Sequence, residues 1–207
     1  MYSGVKYSRK IIYVFSKLAP ALTLIFCASA VLLFFSAAPV KRSQFSKLAI
    51  VYYSDTPISE DGIRGIKEGL KNHGYEESKN YKAYVYSAHS DSAALNGIID
   101  AVVSEDYDLV FTISTPALQA ALKKIKKTPI IFSSTGDPIG AGAGKSFAQH
   151  EANVTGICSL SDFSGMVSLV REIAPGVKKI GTIFCPSEIN SVLYKQHLEK
   201  AAREKGI

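Results

Sequence analysis

The sequence predicts an α/β fold built on a parallel sheet, and three observations carry that prediction. Short apolar runs recur at Leu48–Tyr53, Tyr81–Ala88, Leu109–Ile113 and Ile130–Phe132. Between them lie stretches whose apolar residues repeat at helical spacing, and the runs end in clusters of Ser, Thr, Asp, Gly or Pro. A near-continuous apolar run suits a strand buried on both faces. Strands alternating with helical patterns imply βαβ units with right-handed crossovers.

Taken in order, Leu48–Tyr53 reads as the first strand, closed by Ser54-Asp55-Thr56-Pro57. A helix is expected to start at Ser59-Glu60-Asp61, with Ile63, Ile66 and Leu70 on one face and Gly74 as its C-cap. Tyr81–Ala88 is the next strand. Asp91 or Ser92 then caps a helix that places Leu95, Ile98, Ile99, Val102 and Val103 on one side. Leu109–Ser114, a helix from Pro116 and Ile130–Ser133 form the third strand, a helix and the fourth strand. A looser region, Gly136–Asn153, leads to a strand over Val154–Ser159. A helix over Asp162–Ala174, a strand over Lys179–Phe184 and a helix over Asn190–Lys205 follow. A single strand and helix cannot bury their own apolar faces. The chain is therefore expected to end inside a second lobe, as a fragment or as a protein completed by something else.

Charge is divided unevenly. The net charge of +6 hints at nucleic acid, yet residues 1–47 hold seven basic residues and no acid, which leaves 17 basic against 18 acidic residues in the remainder. A nucleic-acid binder clusters its positive charge on the folded domain, so no nucleic-acid partner is expected. The basic residues flank Leu18–Val40, 23 positions without a charge, enough to span a bilayer as a helix. Four basic residues precede the segment, as in a signal sequence or signal anchor. An uncleaved membrane anchor is the first expectation and a cleaved signal peptide the second. The expected divisions are residues 1–46 as anchor and linker, 47–158 as the first α/β lobe, and 159–207 as a crossover with an incomplete second lobe.

Catalytic and metal chemistry find little support. His73, His89, His150 and His197 are scattered and fit no triad or metal spacing. Gly140-Ala-Gly-Ala-Gly-Lys-Ser146 resembles a phosphate loop, but the position that needs glycine is Ile139. Flexible loop is the better reading there. No Gly-rich fingerprint follows the first strand, which disfavours a flavin or dinucleotide enzyme. Neither an enzyme nor a cofactor is expected. Cys27 lies in the apolar segment, while Cys158 and Cys185 sit in strand-like runs as small buried hydrophobes. Sequence does not give the geometry that would decide a Cys158–Cys185 disulfide.

One construction recurs four times: Tyr53-Ser-Asp-Thr-Pro57, Ser114-Thr-Pro116, Ser134-Thr-Gly-Asp-Pro138 and Cys185-Pro-Ser-Glu-Ile-Asn-Ser191. Each places hydroxyls or carboxylates where a strand gives way to a helix or loop. Asp55, Asp137 and Glu188, taken singly, read as turn or cap residues. Taken together they suit a small zwitterion. Helix N-termini attract carboxylates, Asp or Glu neutralises an ammonium, and no Arg or Lys stands among these loop residues to favour a phosphate ester. In an open α/β sheet the ligand crevice lies outside the carboxyl ends of the strands, where the polar loops of the first lobe gather.

The run TPALQAALKKIKKTPIIFSSTGDPIGAG, with Asn153-Val-Thr-Gly156 and IGTIFCPSEINS (180–191), resembles the substrate-binding proteins of bacterial ABC uptake systems, the tryptophan/tyrosine-type family. So do Leu48–Tyr53, GIRGIKEGL (62–70) and Gly74-Tyr75. The resemblance covers residues 47–207. It implies the periplasmic-binding-protein-like I fold, in which a Rossmann-like parallel-sheet lobe and a second α/β lobe close on a ligand. It further implies that Thr115, Thr135 and Asp137 line the cleft from the first lobe, with Ser187, Asn190 and Ser191 on the second; Asp55 and Pro116, from the recurring strand-end turns, complete the expected ligand-binding set. Thr115 and Thr135 would hydrogen-bond the ligand, Asp137 would pair its ammonium, and Ser187, Asn190 and Ser191 would hold its carboxylate.

The expected function is therefore the extracytoplasmic solute-binding component of an ABC importer for an aromatic or hydrophobic amino acid. Its partner would be an ABC permease in the membrane, and Leu18–Val40 its anchor or export signal. The alternative is an extracytoplasmic ligand-sensing module of a membrane signalling protein, favoured by a retained anchor without a neighbouring permease.

Overall fold

The computed structural model describes residues 18–20, 22–31 and 46–207. The chain divides into two compact units, residues 1–43 and 44–207. In the first, residues 18–20 and 22–31 are helical. Among the described residues no helix is long and apolar enough to cross a membrane. The expected span Leu18–Val40 lies outside the described residues at position 21 and over 32–40.

The second unit is an α/β structure. Its elements are β1 (Ser46–Tyr52), α1 (Pro57–Asn72), β2 (Tyr81–Ser87), α2 (Ser92–Ser104), β3 (Leu109–Ile113) and α3 (Thr115–Lys124). They continue with β4 (Ile130–Thr135), β5 (Gly144–Ser146), β6 (Gln149–His150), β7 (Val154–Cys158), α4 (Phe163–Ile173) and α5 (Ile189–Glu204). Five strands form one sheet in the order β2-β1-β3-β4-β7, parallel throughout. The direction of strand order reverses between β1 and β3, the switch point at which such sheets open a crevice.

Local chemistry sets the boundaries. Thr56 caps α1 through a bond from Ser59 N at 3.2 Å, with Pro57 in the first turn, so the helix begins two residues before Ser59. At its other end Gly74 takes φ +83°, and Tyr75 N returns to Leu70 O at 2.9 Å. Asp91 rather than Ser92 caps α2, its carboxylate accepting from Ala93 N and Ala94 N.

The strands alternate their cores. Ala49, Val51, Val110 and Ile130 pack with Leu95, Ile99 and Val102 of α2 and with Ala117, Leu118 and Ala121 of α3. Leu48, Ile50, Phe111 and Ile113 face the other way, against Ile63, Ile66 and Leu70 of α1. A crossover on each side of the switch point thus buries both faces of the central strands.

Two segments differ from the sequence expectation. Gly144–Ser146, expected to lie in a flexible loop, pairs with Gln149–His150 in a short antiparallel hairpin. Lys179–Phe184 has strand-like composition but forms no strand, and Ile183 is fully exposed. A strand exists only with a hydrogen-bonding neighbour, and no described strand lies beside this run. Cys185, expected in a buried strand, is exposed for the same reason, and Cys158 and Cys185 are free thiols.

The turns after β1 and β2 are bound together. Asp55 Oδ1 accepts from Tyr52 Oη at 3.0 Å and Ser87 Oγ at 2.9 Å, and Oδ2 accepts from His89 Nδ1 at 2.6 Å. An ionised carboxylate is acceptor-only, so Nδ1 carries the proton. Ser90 N donates to Tyr53 O at 2.7 Å and Tyr53 Oη to Ser90 O at 2.8 Å. These bonds hold His89 and Ser90 in left-handed conformations, φ +49° and +63°, which non-glycine residues keep only when their surroundings over-determine them.

Leu118 is fully buried between α3 and the sheet. Leu118→Ala is expected to cost about 3 kcal/mol, read as a lower urea midpoint, while Ile58→Ala at an exposed site should leave the midpoint almost unmoved. The bonds from Ser87, then His89 and Tyr52, hold the Asp55 carboxyl below its ordinary value of 3.8. A depressed pKa contributes stability above the unfolded value, and that contribution is lost as pH falls through the folded value. An NMR titration should place Asp55 below 3.8 and Ser87→Ala should move it upward.

Candidate functional site

Parallel pairing brings the carboxyl ends of β1, β3 and β4 to one edge of the sheet. The register sets Ile113 opposite Ser133, so the turns Ser114-Thr115-Pro116 and Ser134-Thr135-Gly136-Asp137 are neighbours. Ser114 N donates to Ser133 O at 3.1 Å, tying them. Both turns are strained: Ser114 has φ +93° and Ser134 φ +50°. A non-glycine residue in this region costs about 1–3 kcal/mol and is concentrated at ligand sites. The Ser114 and Ser133 hydroxyls are buried without a hydrogen-bond partner. Buried polar groups are normally paired, so these hydroxyls, with Thr112 Oγ1 two residues before Ser114, make this edge the candidate for receiving a polar group. The first turn of α3, directly behind them, has no side-chain cap, and a helix N-terminus of this kind attracts an anion.

The expected site residues fall into three groups. Thr115, Pro116, Thr135 and Asp137 lie at this edge. Thr115 is buried in the first turn of α3, and Thr135 Oγ1 donates to Ser133 O at 3.1 Å. Asp137 Oδ1 accepts from Gly140 N at 2.7 Å, and a side chain at Gly140 would overlap the carboxylate. Asp137 therefore closes its own turn as well as charging the crevice. Asp55 lies two strands from β4, about 10 Å away at ordinary strand spacing. Its carboxylate is committed to Tyr52, Ser87 and His89.

Ser187, Asn190 and Ser191 stand at the N-terminus of α5. Ser191 Oγ accepts from Cys185 N at 2.8 Å, Ser187 Oγ lies 3.1 Å from Cys185 Sγ, and Asn190 Oδ1 is buried without a partner. The helix meets the β4 turn through Tyr194, which sits so closely on Gly136 that a Cβ there would overlap its ring and hydroxyl. The second group of polar residues is thus carried on an element that touches the first.

Sequence reading does not select Ser133, His89 or Tyr194. Ser133 stands in a hydroxyl-rich strand end like the residues that were selected. Tyr194 has one signal, its place four residues after Asn190 on the same helical face. The Asp55–His89 pair joins positions 34 apart, and only the sheet brings them together.

The set of groups can bind but offers no activated nucleophile. The hydroxyls and helix end suit a carboxylate, and Asp137 suits a cation.

Comparison with known proteins gives the family and the fold. The profile of the family described as ABC transporter substrate binding protein matches residues 47–207. A Tyrosine-binding protein of Clostridioides difficile is 33% identical over 158 residues, covering 73% of this chain and 46% of the relative. A solved structure of a conserved domain protein from Vibrio cholerae superposes with TM-score 0.74 at 34% identity, over 78% of this chain and 55% of that one. The ABC domain in complex with L-Trp from Streptococcus pneumonia superposes with TM-score 0.75 at 28% identity, over 79% and 55%. The chain spans about half the length of these relatives. Its architecture is that of the type I periplasmic binding proteins, and the chain belongs to the ABC transporter substrate-binding protein family.

Proposed function

We propose that this protein is the solute-binding component of an ABC importer and takes an aromatic or other hydrophobic amino acid. The observation that carries the reading is the pair of buried, unpartnered hydroxyls, Ser114 and Ser133, beside the uncapped N-terminus of α3. They form a donor-rich receptor for the ligand's carboxylate. Asp137, on the next turn, supplies the opposite charge for its ammonium. A site with an anion receptor and a carboxylate side by side fits a zwitterion, and relatives whose names and titles mention tyrosine and L-Trp support an aromatic one. Thr115, Pro116 and Thr135 shape the wall between these groups. Ser187, Asn190 and Ser191 approach from the second lobe, at residues 159–207, as it closes on residues 47–158.

Closure is driven by the ligand's greater affinity for the closed arrangement, since a ligand with equal affinity for both shifts nothing. Asp55 acts in this scheme as a brace that fixes the turn beside the crevice. The working location is extracytoplasmic, with Leu18–Val40 as the anchor or export signal and a membrane permease as the partner that receives the ligand.

The test is calorimetry on the full reading frame with L-tryptophan, L-tyrosine and, as a control, a nucleotide. Binding of the amino acids alone is expected; response to the nucleotide alone would sink the reading. Asp137→Asn keeps an oxygen to accept from Gly140 N and removes the charge. It should weaken amino-acid binding about tenfold or more and leave the melting temperature near that of the parent. Unchanged affinity would remove Asp137 from the site.

A further inference from the structure

We propose that Tyr194 is a further ligand-binding residue, seated on Gly136 as one wall of the crevice, with its hydroxyl oxygen accepting from the ligand's ammonium beside Asp137. This rests on the amino-acid reading above and extends it to a residue outside the recurring motifs.

Four observations converge on it. The ring and hydroxyl of Tyr194 occupy the space where any side chain at position 136 would lie, so the glycine is what admits the tyrosine. The ring is held in place: Phe163 packs on it with centroids 5.7 Å apart, and Phe163 itself stacks on His197 at 5.7 Å. A ring fixed between α4 and α5 gives little entropy away when a ligand arrives. The hydroxyl has no hydrogen-bond partner among the described residues, although the ring beneath it is packed. Burial, then the Cys158 sulfur and the Asp137 carboxylate, raise its pKa, so the phenol stays neutral. A neutral phenol donates its proton to a carboxylate while its oxygen accepts from a cation.

The neighbouring groups decide which end of a zwitterion belongs here. Asn190 precedes Tyr194 by one turn on the same face, and its buried Oδ1 is an acceptor without a donor. With the Asp137 carboxylate this makes a region of acceptors, complementary to a group bearing three N–H donors. The donors for a carboxylate, Ser114 and Ser133, stand at the neighbouring turn. The ligand is thereby oriented with its ammonium toward α5 and its carboxylate toward α3. This reverses the assignment of Asn190 to the carboxylate.

The experiment compares L-tryptophan with indole-3-propionate, the same acid without the amine, by calorimetry on the full reading frame. Tyr194→Phe keeps the ring and removes the hydroxyl. It should lower affinity for L-tryptophan about tenfold and leave affinity for indole-3-propionate unchanged. Gly136→Ala displaces the ring and should weaken L-tryptophan at least as much, with a melting temperature within a few degrees of the parent. Equal losses for both ligands in Tyr194→Phe would reduce the residue to a structural wall and overturn the proposal, as would parental affinity in either variant. A parent that binds no amino acid would overturn the amino-acid reading itself, an outcome distinct from a parent that binds and a Tyr194→Phe variant that binds equally well.

Discussion

The structure depends on one topological constraint: the sheet is parallel, and its strand order reverses between β1 and β3. Parallel pairing sends every strand's carboxyl end to the same edge. The reversal sends α1 to one face and α2 and α3 to the other, so none of these three crossover helices closes the edge above the switch point. The polar turns gather there because no apolar surface remains to cover them. Residues as far apart as Asp55, Thr115 and Asp137 share an edge for this reason alone.

What the turns do with that position differs from strand to strand. After β1 and β2 the polar groups satisfy one another, and Asp55, Ser87, His89 and Tyr52 form a closed set. After β3 and β4 they do not. Ser114 and Ser133 keep their hydroxyls buried and unpaired, and the backbone at Ser114 and at Ser134 costs energy to hold. Among residues of the same chemical type, this contrast is what assigns Asp55 to bracing and the Ser114 and Ser133 turns to the proposed ligand site.

Much of the fold was legible in the sequence, because a parallel sheet writes its buried strands as unbroken apolar runs and its helices as repeats with polar starts. Thr115, Thr135 and Asp137 were legible as members of a recurring strand-end construction. Three things were not. The Asp55–His89 pair needs the β1–β2 register, which no local pattern encodes. Tyr194 looks like any half-buried aromatic on a helix until its contact with Gly136 is seen. Lys179–Phe184 shows the opposite failure. Its composition says strand, but a strand is a property of a pair, and composition describes one partner only.

That same run has a practical consequence for the chain in solution. Among the described residues Lys179–Phe184 makes no backbone–backbone hydrogen bond, and Ile183 projects fully into water. An open row of this kind is a template on which another polypeptide can lay an additional strand. A strand laid on this run would be flanked by positive charge, from Lys178 just before it and Lys179 at its head.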